Sequence, residues 1–362
     1  MQKIRVLVVE DSLTVRRRLC EMLASDPEIE VAGEAHDGSR AIELCRELRP
    51  DVVTMDMMLP VMSGLAATEF IMAHFPTPIL IVSSSTNRGE LFKTYEALAA
   101  GAIEALEKPT GQEGEHWERD FVATVKLVSR IKTITHPRAR LGTYARAAAA
   151  DKMAASQPVA GGAYAQECRV VGIGASTGGP GAIVEILRDL PAAFPLPILF
   201  VLHIAPPFAT AFAEWLDGQT PHAVAYARDG EPVADAARRV VMAPPDQHLE
   251  VRGGKLHLTS APERHSCRPS VDVLFESLAR EYGSAAAACL LTGMGRDGAA
   301  GLLEIRKAGG LTLAQDEATS VVYGMPREAV IMGAAQRVLP IGEFGSALML
   351  LATAALAGQV TP

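Results

Sequence analysis

Along most of this chain, short continuous apolar runs alternate with stretches in which apolar residues recur every three or four positions. "KIRVLVVED" is a buried-strand pattern. It leads into "SLTVRRRLCEML", where Val15, Leu19, Met22 and Leu23 fall on one helical face. "IEVAGEA", "SRAIELCREL", "DVVTMD", a further helical stretch, "TPILIVSSS", another helix and "GAIEALEKP" repeat the theme. Five β-α units over residues 1–125 predict a doubly wound parallel sheet covered by helices on both faces. The pattern lapses over residues 126–167, where alanine, glycine and basic residues replace periodic apolar positions, as in a linker. It resumes at "RVVGIGAS" and continues through "PGAIVEILRDL", "PILFVLHIA", "PPFATAFAEWLDG", "RRVVMAPPD", "SVDVLFESLAREYG", "AAGLLEIRKAGG" and "LTLAQD". A second Rossmann-like α/β domain is expected over residues 168–358.

Composition narrows the function classes. With 49% hydrophobic and 21% charged residues, the 362-residue chain can bury two ordinary cores. A net charge of −8 and an aromatic share of 5% argue against a nucleic-acid partner. Charge is unevenly placed: 12 basic against 21 acidic residues before the linker, 7 against 2 within it, and 15 against 19 after it. The linker is therefore a basic tether between two acidic domains. Five scattered cysteines without a C-x-x-C suit a reducing compartment and offer no zinc cage. Met1 leads straight into the first strand pattern, and no apolar run is long enough to span a bilayer. A cytoplasmic monomer without membrane insertion is the expectation.

Polar residues mark the strand ends of the first domain. Glu10 and Asp11 follow the first strand, Asp56 ends the third, Ser83 the fourth and Lys108 the fifth. Carboxyl ends of parallel strands form the functional crevice, so these groups should converge. Three crowded carboxylates repel one another unless a hard cation such as Mg²⁺ takes their oxygens. That cation and Lys108 would neutralise a phosphoryl group on Asp56, with the Ser83 hydroxyl bonding one of its oxygens. Any one of these polar residues alone is usually a helix cap or a solvated surface group; all five in this order point to a site.

The second domain opens on "VVGIGASTGGP", which is open to two readings. A dinucleotide fingerprint requires a third glycine where Thr177 stands, and an acid where the next strand ends in His203. Both requirements fail. Gly174-x-Ser176-x-Gly178 is instead the spacing of a nucleophile elbow, which projects a serine hydroxyl at the start of a helix. A serine needs a base oriented by a carboxylate. His203 and Asp297, at two other strand ends, fit those roles. His248, His257 and His265 remain alternative bases, and Asp246, Asp272 and Asp316 alternative orienters.

Two resemblances sharpen these readings. With "VVEDS", "DMMLPVMSGL" and "EKP", residues 1–125 resemble a response-regulator receiver domain, of flavodoxin-like fold. This implies phosphorylation of Asp56 by a histidine kinase and Mg²⁺ held by Asp11, Asp56, the Met58 carbonyl and Glu10. Two local departures are Glu10, where many relatives have Asp, and Ala105, where an aromatic switch residue is frequent. From residue 168 onward, "GIGASTGGP", "LHIAPPF", "MAPPDQHLEV", "RPSVDVLFESLA", "LLTGMGRDGAAGL" and "AQDEATSVVYGMPREA" resemble the catalytic domain of the chemotaxis protein-glutamate methylesterases. That resemblance implies a triad of Ser176, His203 and Asp297, an oxyanion role for the Met294 N–H, and Thr177 beside the histidine. Leu202-His203-Ile204-Ala205 departs from the family's usual surroundings of the histidine. The implied activity is demethylation of glutamate methyl esters and deamidation of glutamines on cytoplasmic chemoreceptor bundles, switched by the receiver and needing no cofactor for hydrolysis. A receiver-controlled interaction module without turnover is the alternative.

Overall fold

A computed structural model describes residues 3–84, 87–108, 114–131, 133 and 168–358. The chain divides into two compact units, Met1–Gln157 and Pro158–Pro362. The expected linker lies mostly outside the described residues, although its first positions complete a helix that runs to Val128.

In the first unit, strands β1 (Ile4–Val9), β2 (Ile29–Ala35), β3 (Val52–Met55), β4 (Ile79–Ser83) and β5 (Glu104–Glu107) alternate with helices α1 (Leu13–Ala24), α2 (Gly38–Leu48), α3 (Gly64–His74), α4 (Arg88–Ala99) and α5 (Gly114–Val128). The sheet is parallel throughout, in the order β2-β1-β3-β4-β5, as the five-unit alternation predicts. Polar residues in the loops after the strands start the helices. Asp37, Ser63 and Asn87 each accept a backbone N–H from three residues further on, capping α2, α3 and α4. Leu19, Met22 and Leu23 of α1 are buried, as their spacing requires.

The second unit holds a parallel sheet of seven strands: β6 (Val170–Ala175), β7 (Ile198–Leu202), β8 (Ala223–Tyr226), β9 (Arg239–Met242), β12 (Ala286–Leu290), β13 (Leu311–Gln315) and β14 (Arg337–Leu339). Their order is β14-β13-β12-β6-β7-β9-β8. A separate antiparallel hairpin of β10 (His248–Arg252) and β11 (Lys255–Thr259), which the apolar pattern does not announce, stands outside that sheet. The helices are α6 (Gly179–Asp189), the single turn α7 (Pro206–Ala209), α8 (Phe212–Gln219), α9 (Val271–Tyr282), α10 (Ala299–Lys307), α11 (Met325–Ile331) and α12 (Phe344–Gly358).

β6 is buried at all six positions and is flanked by β7 on one side and β12 on the other. The chain leaves β6 towards β7 and later returns to β12, so the strand order reverses there. In open α/β sheets that reversal opens a crevice at the strands' carboxyl ends. The glycines of β6 serve packing rather than phosphate binding: a Cβ at Gly174 would lie 2.2 Å from Val271 Cγ1, so its absence lets α9 press onto the strand. Among the described residues, no helix is long and apolar enough to cross a membrane.

Candidate active site and phosphorylation site

Ser176 and His203 come together through strand register. Ala175 pairs with Leu202, and the His203 N–H donates to the Ala175 carbonyl at 3.0 Å, so the two residues are the next rungs of neighbouring strands. On the other side, the Ser176 N–H donates to the Thr292 carbonyl at 3.0 Å. That bond carries the pairing of β6 with β12 into the loop that bears Gly293, Met294 and Asp297. Gly293 abuts the nucleophile: a Cβ there would stand 2.7 Å from Ser176 Cβ and 2.3 Å from Met325 Sδ. Met294 follows it and is 37% exposed. Among the described residues nothing accepts the Met294 N–H, which leaves it available to an oxyanion. Thr177 is buried, and its carbonyl accepts the Thr292 hydroxyl at 2.9 Å.

His203 and Asp297 form the expected pair. Nε2 of the ring lies 2.9 Å from Asp297 Oδ2. The carboxylate is fixed by groups that the sequence did not single out. Ser270 Oγ donates to Oδ1 at 2.8 Å, the Val271 N–H to Oδ2 at 2.7 Å and the Asp272 N–H to Oδ1 at 3.1 Å. Asp297 thus sits on the amino terminus of α9, where unpaired N–H groups and the helix dipole favour negative charge. Burial opposes its ionisation, but the bonds from His203, Ser270 and Val271 outweigh that and hold its carboxyl below the usual range. Burial likewise favours neutral His203. The hydrogen bond with Asp297 and the sulfur of Cys267 reverse this and raise the ring to about 9. Cys267 Sγ stands 3.8 Å from Nδ1, a neighbour that no spacing in the sequence indicated.

The rival residues find other partners. His265 Nε2 pairs with Asp272 Oδ2 at 3.1 Å, and Asp272 is also held by the Gly301 N–H at 2.6 Å. His248 is buried between the Pro262 carbonyl and the Ser270 N–H. His257 lies 3.8 Å from Asp229, Asp246 pairs with Arg268 at 2.6 Å, and Asp316 caps the turn at Thr319.

In the first unit, oxygens of Glu10, Asp11 and Asp56 all lie within 4.8 Å of one another. Lys108 Nζ reaches Glu10 Oε2 at 2.8 Å and Asp56 Oδ1 at 3.0 Å. Both carboxylates are almost fully buried, and burial pushes both carboxyls up, against the pull of Lys108. Apart from that ammonium, Glu10 Oε2 and Asp56 Oδ1 have no partner among the described residues. Such oxygen-rich, under-neutralised donors fit a hard divalent cation. The Met58 N–H bonds the Asp56 carboxylate, while the Met58 side chain is half exposed. Ser83 is engaged elsewhere: its hydroxyl donates to Glu90 Oε1 at 2.8 Å, as does that of Ser84 at 2.7 Å. Ala105, where an aromatic switch residue is frequent, is buried in β5.

Comparison with known proteins agrees with this division. Residues 171–348 match the family model described as CheB methylesterase, and residues 6–115 match the response regulator receiver domain. The protein-glutamate methylesterase/protein-glutamine glutaminase 2 of Anaeromyxobacter dehalogenans is 45% identical over 95% of this chain and 96% of its own length. The chain belongs to this family. Enzymes of the same designation from Myxococcus xanthus, 42% identical over 95% of this chain and 96% of theirs, and from Syntrophus aciditrophicus, 40% identical over 99% of this chain and all of theirs, extend the likeness across both units. This member of the family thus carries a receiver and a methylesterase domain in one chain.

Proposed function

We propose that the chain is a phosphorylation-activated serine hydrolase that demethylates glutamate methyl esters and deamidates glutamines on chemoreceptor cytoplasmic domains, setting sensory adaptation. Its parts are a receiver over residues 1–125, a basic tether over 126–167 and the esterase over 168–358. The observation that carries the reading is the His203–Asp297 bond of 2.9 Å beside Ser176 at the strand-order reversal. A binding surface has no need of a buried carboxylate that orients an imidazole.

Asp297 occupies Nε2, so the ring's Nδ1 is the atom that takes the Ser176 proton. The Ser176 oxygen adds to the γ-ester carbonyl, and the oxyanion is met by the Met294 N–H. Collapse expels methanol, which takes the proton back from Nδ1. Water, deprotonated by the same nitrogen, then cleaves the glutamyl-serine ester to give the glutamate carboxylate and Ser176. With a glutamine substrate the leaving group is ammonia.

On the receiver, Asp56 accepts the phosphoryl group from a histidine kinase. Glu10, Asp11 and Asp56, with the Met58 carbonyl, would hold Mg²⁺, which when bound offsets phosphoryl charge. Lys108 neutralises a further oxygen, and Ser83 is available once it exchanges Glu90 for the phosphoryl group. The protein works in the cytoplasm, where both the kinase and the receptor bundles lie.

A serine-reactive fluorophosphonate tests the hydrolase reading. Labelling of wild type at Ser176, lost in His203→Gln, is expected. A protein that stays unlabelled while binding receptors would establish the interaction-module alternative instead.

A further inference from the structure

Cys267 belongs to none of the roles above, yet its Sγ stands 3.8 Å from His203 Nδ1, on the ring edge away from Asp297. Thiol, imidazole and carboxylate therefore form a row in which the carboxylate orients the ring and the ring faces the sulfur. His203, Cys267 and Asp297 lie within 4.8 Å of one another through these atoms. A sulfur that faces an imidazole oriented by a carboxylate is placed as a nucleophile, with the ring beside it to take its proton. The loop that presents the sulfur is pinned by paired backbone bonds between Arg264 and Cys267, of 3.1 and 2.9 Å. It leads, three residues on, into Ser270 and the amino terminus of α9. Cys267 is only partly buried.

The other four cysteines lack such a setting. Cys45, Cys168 and Cys289 are buried. Burial pushes the Cys20 and Cys168 thiols up to about 11 and raises those of Cys45 and Cys289. Thiols of that kind are poor nucleophiles at neutral pH.

We propose that Cys267 is a covalent modification site for low-molecular-weight disulfides of the glutathione type, and that its modification switches the esterase off. This inference rests on the catalytic reading of Ser176, His203 and Asp297. The Cys267 sulfur attacks one sulfur of the disulfide, whose S–S bond breaks as the new one forms. The second half leaves as a thiolate and takes the proton that Cys267 gave up. Cys267 is oxidised to the mixed disulfide, and one equivalent of the small thiol is released. The adduct then fills the Nδ1 edge through which the Ser176 proton must pass. A reducing thiol reverses the exchange and restores access.

The full-length protein treated with glutathione disulfide tests this, with adducts located by peptide mass mapping and methanol release measured in parallel. Expected are a first adduct on Cys267 and a matching loss of esterase activity that dithiothreitol restores. His203→Gln should slow the adduct by about 10-fold or more, and the activity that remains in Cys267→Ala should resist the treatment. A first adduct on Cys20, or a Cys267 adduct that leaves methanol release unchanged, would overturn the proposal. Ser176→Ala separates the two readings. It should lose the esterase but form the adduct at the wild-type rate, whereas an active Ser176→Ala would sink the triad and leave the adduct measurement standing.

Discussion

Ser270 donates its hydroxyl to Asp297 Oδ1 at 2.8 Å, binding the carboxylate that orients His203 to the first turn of α9. The same oxygen caps that helix by accepting the Val273 N–H. Ser270→Ala removes both interactions. The cap accounts for about 1 kcal/mol of stability, and the loosened carboxylate should lower kcat on the order of 10-fold with little change in KM. Ser270→Thr should recover most of the loss. Steady-state kinetics and a thermal melt of the three proteins check this, and an unchanged kcat in Ser270→Ala would show that the backbone N–H groups alone position Asp297.

His203 acts as a base only when its ring is neutral. Burial favours that neutral form, but the Asp297 bond and Cys267 hold the proton on until pH reaches about 9. The protonated, inactive fraction therefore falls as pH rises, and kcat/KM should climb from pH 7 through 9. Asp297, held below the usual carboxyl range, stays ionised throughout. Cys267→Ala removes one of the groups that raise the ring and should move the profile to lower pH. A profile flat between pH 6 and 9 in both proteins would contradict this account of the base.

Gly293 tests the fit around the nucleophile. The methyl of Gly293→Ala would lie 2.7 Å from Ser176 Cβ and 2.3 Å from Met325 Sδ, so the loop must shift. Relieving that overlap costs about 1–3 kcal/mol and displaces the neighbouring Met294 N–H. Methanol release should fall at least about 100-fold, with a lower melting temperature of the second unit and normal phosphorylation of the first.

Glu10 and Asp56 share Lys108 and little other positive charge. Glu10→Gln removes one hard ligand and should raise the Mg²⁺ concentration needed for phosphodonor labelling of Asp56 by about 10-fold. Chelation of Mg²⁺ should stop labelling of wild type while esterase activity in the absence of phosphodonor persists. Labelling indifferent to both changes would remove the cation from the account.

The alternation of apolar runs and helical stripes was enough to read both sheets, because parallel strands buried on both faces leave a strong pattern. Hairpin β10–β11 leaves no such mark, because half-buried antiparallel strands alternate and "HLEVRGGKLHLT" is short and polar. Ser176 and His203 stand out as candidates in the sequence because each directly follows a parallel strand, β6 or β7, whereas Asp297 lies further on, in the loop between β12 and α10. His265 and Asp272 stay open as base and orienter in the sequence, and they do pair with each other at 3.1 Å; what favours His203 is the strand register that sets it beside Ser176, which only the folded sheet shows. Ser270 and Cys267 were invisible for the same physical reason. Each acts across 27 and 64 residues of chain respectively, through contacts that no local spacing records. Ser83 does end its strand, as the apolar run indicates, but its bond to Glu90 depends on how α4 begins.

The central claim is a serine esterase under receiver control. Methanol release from methylated receptor bundles, measured for wild type, Ser176→Ala and Asp56→Asn with and without a phosphodonor, tests it most directly. The account predicts release that rises with phosphodonor in wild type, vanishes in Ser176→Ala, and persists without stimulation in Asp56→Asn. Release that survives in Ser176→Ala, or stimulation that survives in Asp56→Asn, would contradict it.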